Sequence, residues 1–157
     1  MSLATQVLIF IITVIAMEGV AWAMHRYLMH GPLWFIHKSH HQPHRGWWEL
    51  NDTFGLFFST ASIVLIYHGL HGHPYLFGIG LGLAGYGLIY FLLHDVLVHR
   101  RVRLPLTPKN GYLRRVYRAH HLHHATKTRD GAVAFGFALV PPVRLLRKQM
   151  AAIKANR

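Results

Sequence analysis

Residues 7–41 read VLIFIITVIAMEGVAWAMHRYLMHGPLWFIHKSHH. An apolar run that starts at residue 3 stops at residue 24, and histidine then takes five of the next seventeen positions. The run is about as long as the roughly 20 residues a helix needs to cross a bilayer. It has neither the basic start nor the small-residue cleavage site of a signal peptide, so it reads as a membrane span.

Two more stretches have the same character. Residues 53–70 (TFGLFFSTASIVLIYHGL) and 75–98 (YLFGIGLGLAGYGLIYFLLHDVLV) are joined by the short turn HGHP at 71–74. A fourth apolar piece, 131–143, is too short to cross and contains Pro141-Pro142. It reads as a re-entrant or interfacial segment that closes over a site. The expected fold is therefore a single all-α domain, an integral membrane helical bundle with its histidine-rich site at one membrane edge.

Charge placement gives the sidedness. Of seventeen Lys and Arg, none lies in residues 1–24 or in the 68–75 turn. Arg26, Lys38 and Arg45 lie between the first and second spans, and the other fourteen follow the third. Three crossings put both regions on one side. The positive-inside rule makes that side cytoplasmic, with the N-terminus outside and the C-terminus inside. The net charge of +12 thus belongs to a membrane surface or an acidic partner rather than to nucleic acid. With no cysteine in the chain, disulfides and thiolate metal sites are excluded.

On this topology four histidine blocks share one face: His25-x4-His30, His37-x2-His40-His41, His94-x4-His99 and His120-x2-His123-His124. Positions i, i+3 and i+4 of a helix lie together, so each His-x2-His-His presents three imidazoles on one side. Positions i and i+5 diverge on a regular α-helix. Each His-x4-His pair is therefore expected to straddle the end of a span, or to reach the site from two directions. One such pair alone would read as interfacial residues. Four in a paired arrangement, each pair following a span, read as a dimetal site. Ten imidazoles are too many for one ion, whereas two six-coordinate ions offer about twelve positions and would keep a couple open. His68, His71 and His73 fall at the opposite membrane face and read as interfacial.

The blocks resemble the histidine signature of the membrane di-iron hydroxylases and desaturases, the fatty acid hydroxylase superfamily. Within that group the chain is similar over nearly its whole length to the bacterial β-carotene 3-hydroxylases. The matching stretches are MEGVA (17–21), MHG (29–31), SHHQP (39–43), ELNDTF (49–54), YGLIYFLLHDVLVHRR (86–101), GYLRRVYRAHHLHH (111–124) and VAFGFALVPP (133–142). The resemblance implies a bacterial inner-membrane monooxygenase with two non-haem iron ions, O2 as co-substrate and hydroxylation at the 3-position of a carotenoid β-ring. The products would be β-cryptoxanthin and then zeaxanthin. It implies a ligand set of His25, His30, His37, His40, His41, His94, His99, His120, His123 and His124. His121 and His44 lie outside the pattern. Larger relatives that act on fatty acids often have four spans, against three here, which leaves the role of 131–143 open.

Several residues read as support. Glu18 lies within the first span, where an ionisable group is costly and usually functional. Two turns before His25, it either hydrogen-bonds a ligand imidazole or makes a polar helix–helix contact. Asp95, Asn51 and Asp52 are further partners for ligand rings, although Asp52 reads better as the cap of the second span. Gly78-x3-Gly82 reads as close helix packing rather than a groove for a polyene. Trp34, Trp47 and Trp48 read as interfacial. The basic segments at 99–103, 113–118 and 144–149 suit anionic lipid or an acidic, ferredoxin-like electron donor. That donor is expected to be external, because the chain shows no flavin or haem motif of its own. Two rivals remain at this stage: the same chemistry on a fatty acyl or sterol substrate, and a non-catalytic membrane metal-binding protein.

Overall fold

A computed structural model of the protein describes residues 1–42, 46–102, 104–105 and 107–156. His44 lies outside these. Among the described residues the regular structure is entirely helical: α1 (Leu3–Ala23), α2 (Trp34–His41), α3 (Asp52–Leu70), α4 (Pro74–Tyr90), α5 (Gly111–His124) and α6 (Val143–Ala155). Two π-helical segments, Met24–Met29 and Phe91–Val98, continue α1 and α4 without a break.

Three helices are long and apolar enough to cross a membrane: Leu3–Met29, Asp52–Leu70 and Pro74–Val98. The first reaches five residues past the expected end at 24. Its backbone does not stop at the first histidine but widens into the π segment. Large apolar side chains point outward from these helices, with Ile15 68% exposed on α1 and Ile63 67% exposed on α3. Such surfaces suit lipid and not water.

α4 packs against both α1 and α3. Glycine makes this possible. A Cβ on Gly82 would lie 2.5 Å from Thr13 Cβ, and one on Gly80 would lie 2.8 Å from the backbone N of Ile66. Ser62 Oγ donates to the Gly80 carbonyl at 2.8 Å across the same contact. The glycine-rich face of α4 is thus filled by its neighbours and offers no polyene groove.

Beyond the ends of these helices, α2, α5, α6 and the irregular stretch 131–142 form a cap. Val116 and Ala119 of α5, Val133, Ala134 and Val140 of the stretch, and Leu146 of α6 make its apolar core. The expected re-entrant or interfacial piece 131–143 is not helical. Through residue 142 it is an irregular strap, buried over most of its length, that runs across the histidines. Irregular backbone at such depth needs its polar groups satisfied by protein, and the strap's partners are site residues.

Candidate metal centre

The ten block histidines gather into two groups of five. His25, His30, His37, His41 and His123 form the first, and His40, His94, His99, His120 and His124 the second. Within each group one nitrogen per ring lies within 4.8 Å of all the others. The groups do not follow the two halves of the chain. α2 gives His37 and His41 to the first group and His40 to the second. α5 reciprocates, with His120 and His124 in the second group and His123 in the first. Each helix sends its i and i+4 rings one way and its i+3 ring the other, so the two centres interlock. The rings of His41 and His124 stack at 4.4 Å where the groups meet.

The His-x4-His pairs correct the expectation that they point apart. Each begins inside a π-helical segment and ends on the residue that caps it, where the His30 N–H donates to the His25 carbonyl at 3.0 Å and the His99 N–H donates to that of His94 at 2.9 Å. A π turn takes more than four residues, so i and i+5 return to nearly the same side. Both members of each pair therefore enter one group, with ring centroids 5.3 Å apart for His25–His30 and 4.5 Å for His94–His99.

The remaining ring nitrogens show what these groups are built for. The Nδ1–H of His25 donates to the Phe135 carbonyl at 2.9 Å, and that of His123 to the Val133 carbonyl at 2.9 Å. His30 donates to the Arg129 carbonyl and His41 to that of Thr126. His37 donates to Asn51 Oδ1 at 2.7 Å. In the second group, His40 donates to Glu49 Oε1 at 3.1 Å and His94 to Asp95 Oδ1 at 2.7 Å. These partners accept, so each ring is held in the tautomer that leaves Nε2 bare.

The bare Nε2 atoms then face one another. His25–His37, His30–His123 and His41–His123 are each 3.1 Å apart in the first group, and His40–His94 are 2.9 Å apart in the second. Two lone pairs at that separation repel unless a cation lies between them. Nitrogens about 2.1 Å from a six-coordinate metal are about 3 Å apart at adjacent positions and about 4.2 Å at opposite ones. Both donor sets fit a borderline transition-metal ion of the iron, zinc or copper kind.

Burial enforces the neutral form. It pushes the imidazole of His37 down to about 3 and that of His124 to about 2, and those of His41 and His99 to about 4. Neighbouring imidazoles add to the depression in all four, since any two protonated rings here would repel.

Glu18 contacts no ligand ring. Its carboxylate accepts the backbone N–H groups of Phe137, Ala138 and Leu139 at 2.8–3.1 Å and the hydroxyl of Tyr86 at 2.7 Å. It thereby fastens the strap whose carbonyls at 133 and 135 orient His123 and His25. Ala134, between those carbonyls, takes a left-handed conformation with φ 61°, which a side chain ordinarily avoids. Asp52 is the first residue of α3, and Asn51 stands at the capping position. Asp52 accepts the Glu49 N–H at 3.0 Å and pairs with Arg101 at 2.8 Å. His71 and His73 are exposed at the far end of α3, about 27 Å of helix away. His121 is exposed and bonded to the Tyr117 carbonyl of its own helix.

Two openings border the second group. A narrow apolar cleft of about 10 Å³, lined by Leu93, Val98, Val116, Phe137 and Val140, reaches His94 and His120. A polar cavity of about 290 Å³ reaches His40, His99 and His124 past Gln42 and Lys127.

Residues 10–141 match the Fatty acid hydroxylase family. The chain belongs to the fatty acid hydroxylase family. Among curated relatives, the β-carotene hydroxylase of Paracoccus sp. (strain PC1) is 48% identical over 93% of this chain and 91% of its own length. That of Pseudescherichia vulneris is 52% identical over 83% of this chain and 74% of its own. The chloroplastic β-carotene 3-hydroxylase 2 of Arabidopsis thaliana is 39% identical over 81% of this chain and 43% of its own. No solved structure matches.

The sequence reading missed Glu49 and Arg101, whose guanidinium donates to and pairs with the Glu49 carboxylate. Glu49 was legible in one respect: with only five carboxylates in the chain, any that lies between two histidine blocks is a candidate. The carbonyls of Thr126, Arg129, Val133 and Phe135 were not legible, because every residue type carries one.

Proposed function

We propose that the protein is a membrane non-haem di-iron monooxygenase that places a hydroxyl on C3 of carotenoid β-rings, taking β-carotene to β-cryptoxanthin and then to zeaxanthin. The observation that carries this is the pair of five-imidazole groups with bare, converging Nε2 atoms, in a chain whose relatives are named β-carotene hydroxylases. The ten histidines would hold two iron ions, five each. Those irons, when bound, would supply dioxygen activation, with two electrons from an external donor and two protons, so that one oxygen atom enters an unactivated C–H bond and the other leaves as water.

The chain's own residues supply the rest. Glu49, Asp95, Asn51 and the strap carbonyls fix ring tautomer and orientation, so the donor set is preorganised before any ligand arrives. Glu18 acts one step further out, as a positioning residue that holds the strap. Phe137, Val140 and Leu93 keep the approach to His94 and His120 free of water. The cleft there holds barely one water, so admitting a substrate ring requires those side chains to move apart. A hydrocarbon ring without a headgroup needs no polar recognition, in keeping with the cleft's lining. On the basic face, taken as cytoplasmic, a ferredoxin-like acidic donor would dock. The family match keeps a fatty acyl substrate as the second reading.

Expression in a β-carotene-accumulating bacterium, followed by pigment chromatography, tests the proposal. Singly and then doubly hydroxylated pigment is the expected order. Unchanged β-carotene with verified, iron-loaded protein and a competent donor would favour the fatty acyl reading.

A further inference from the structure

The two histidine groups differ in what stands behind them. In the first, all five Nδ1–H groups donate to neutral oxygens: four backbone carbonyls and the Asn51 amide. Charges of both signs stand near this group: the Arg26 guanidinium lies 4.9 Å from the Phe135 ring centroid, which is 5.5 Å from His25, and Asp130 pairs with Arg129, whose carbonyl takes the His30 N–H. In the second, His40 and His94 donate to carboxylates. Those carboxylates, Glu49 and Asp95, join Asp52 around a single guanidinium, Arg101. Among the described residues, three acids against one base leave this network with a formal charge of two negatives.

We propose that this asymmetry makes the two metal sites electronically inequivalent, with Glu49 and Asp95 as positioning residues that make the His40/His94/His99/His120/His124 site the first to be oxidised. The inference rests on the di-iron reading above. A carboxylate that accepts from Nδ1 draws the proton towards itself and makes Nε2 the stronger donor. A stronger donor, next to uncompensated negative charge in a site of low dielectric, stabilises the higher oxidation state. The neutral carbonyls and the Asn51 amide give the first group no such donor strength. The two openings favour the same site. The apolar cleft and the polar cavity together border all five of its imidazoles, and of the first group they border His41 alone. The more oxidisable ion thus lies where substrate and reductant both arrive.

The test is a redox titration of the purified, iron-loaded protein followed by Mössbauer spectroscopy, with ferricyanide-class mediators as oxidant. In each step one ferrous ion loses one electron, the mediator gains it, and no bond is made or broken. Two steps alone do not decide the matter, since charge gained by one ion raises the potential of its neighbour. Charge-removing variants do. Glu49→Gln and Asp95→Asn keep an acceptor for the imidazole N–H but delete the charge. Each should move the lower-potential step upward and alter the spectrum of one iron, leaving the other step in place. Asn51→Asp adds charge behind His37 and should instead lower the upper step, bringing the two together. The inference is overturned if a protein with two irons per chain shows both steps moving equally, or neither, in Glu49→Gln and Asp95→Asn. A protein that binds fewer than two irons overturns the di-iron reading itself, and this inference with it.

Discussion

His121 and His123 lie two positions apart on α5, yet one is exposed and the other fully buried. His123 Nε2 faces His30 and His41 at 3.1 Å each, while His121 bonds its own helix. Replacing His123 by alanine should drop the metal content from two ions to one per chain and cut hydroxylation by more than about 100-fold. The same change at His121, His71 or His73 should leave metal content at two. Metal analysis of the four purified variants checks this; a loss at His71 equal to that at His123 would contradict the grouping. Acid should act on the same rings. The folded imidazoles of His37, His41, His99 and His124 titrate far below the ordinary 6.5, so the unfolded chain takes up protons first as pH falls. Their contribution to stability is present above about pH 6.5 and is lost progressively as pH falls towards 4. In the metal-free protein, a denaturation midpoint that is flat above pH 7 and declines below 6.5 is the expected result.

At the scale of elements, the strap at 131–142 carries the most consequence for its length. It has no regular hydrogen-bonding pattern of its own, and its shape depends on Glu18. Gly136 sits where a Cβ would lie 2.9 Å from Glu18 Oε1 and 2.7 Å from the Leu139 carbonyl. Gly136→Ala should therefore displace the carboxylate from the three N–H groups, at a cost of about 1–3 kcal/mol. Faster hydrogen exchange at the amides of 137–139 and weaker metal retention are the expected readouts. Unchanged exchange would show that the strap holds without Glu18. The elements also mark the limits of what the sequence could tell. The apolar helices and the four blocks were legible, because apolar runs and histidine spacings are properties of single segments, whereas the expectation that each His-x2-His-His presents its three rings together was not met. The π-helical geometry was not. His-x4-His reads as divergent on an α-helix, and only the observed i to i+5 bonds at His30 and His99 bring the pairs together. The crossing of His40 and His123 into the opposite group depends on how α2 and α5 face each other, which no spacing encodes. Glu18 was legible as an unusual residue, and its bond with Tyr86 of α4 is the polar helix–helix contact expected, but its other partners are backbone amides more than a hundred residues away.

At the scale of the molecule, a helical membrane portion and a compact cap share the work. The three candidate spans would give anchorage and an apolar approach, and the cap gathers four short segments into two histidine groups that could hold metal. Proposed sidedness follows from the charges: fusions of a compartment-sensitive reporter at residue 72 and at the C-terminus should report opposite sides of the membrane. The same side for both would contradict the shared membrane face on which the four histidine blocks are expected to meet. The most direct measurement of the central claim is isotope labelling of the product in β-carotene-producing cells that express the protein. Under heavy dioxygen the new C3 hydroxyls should carry the heavy oxygen, and under heavy water they should not. Hydroxyls labelled from water would contradict the account.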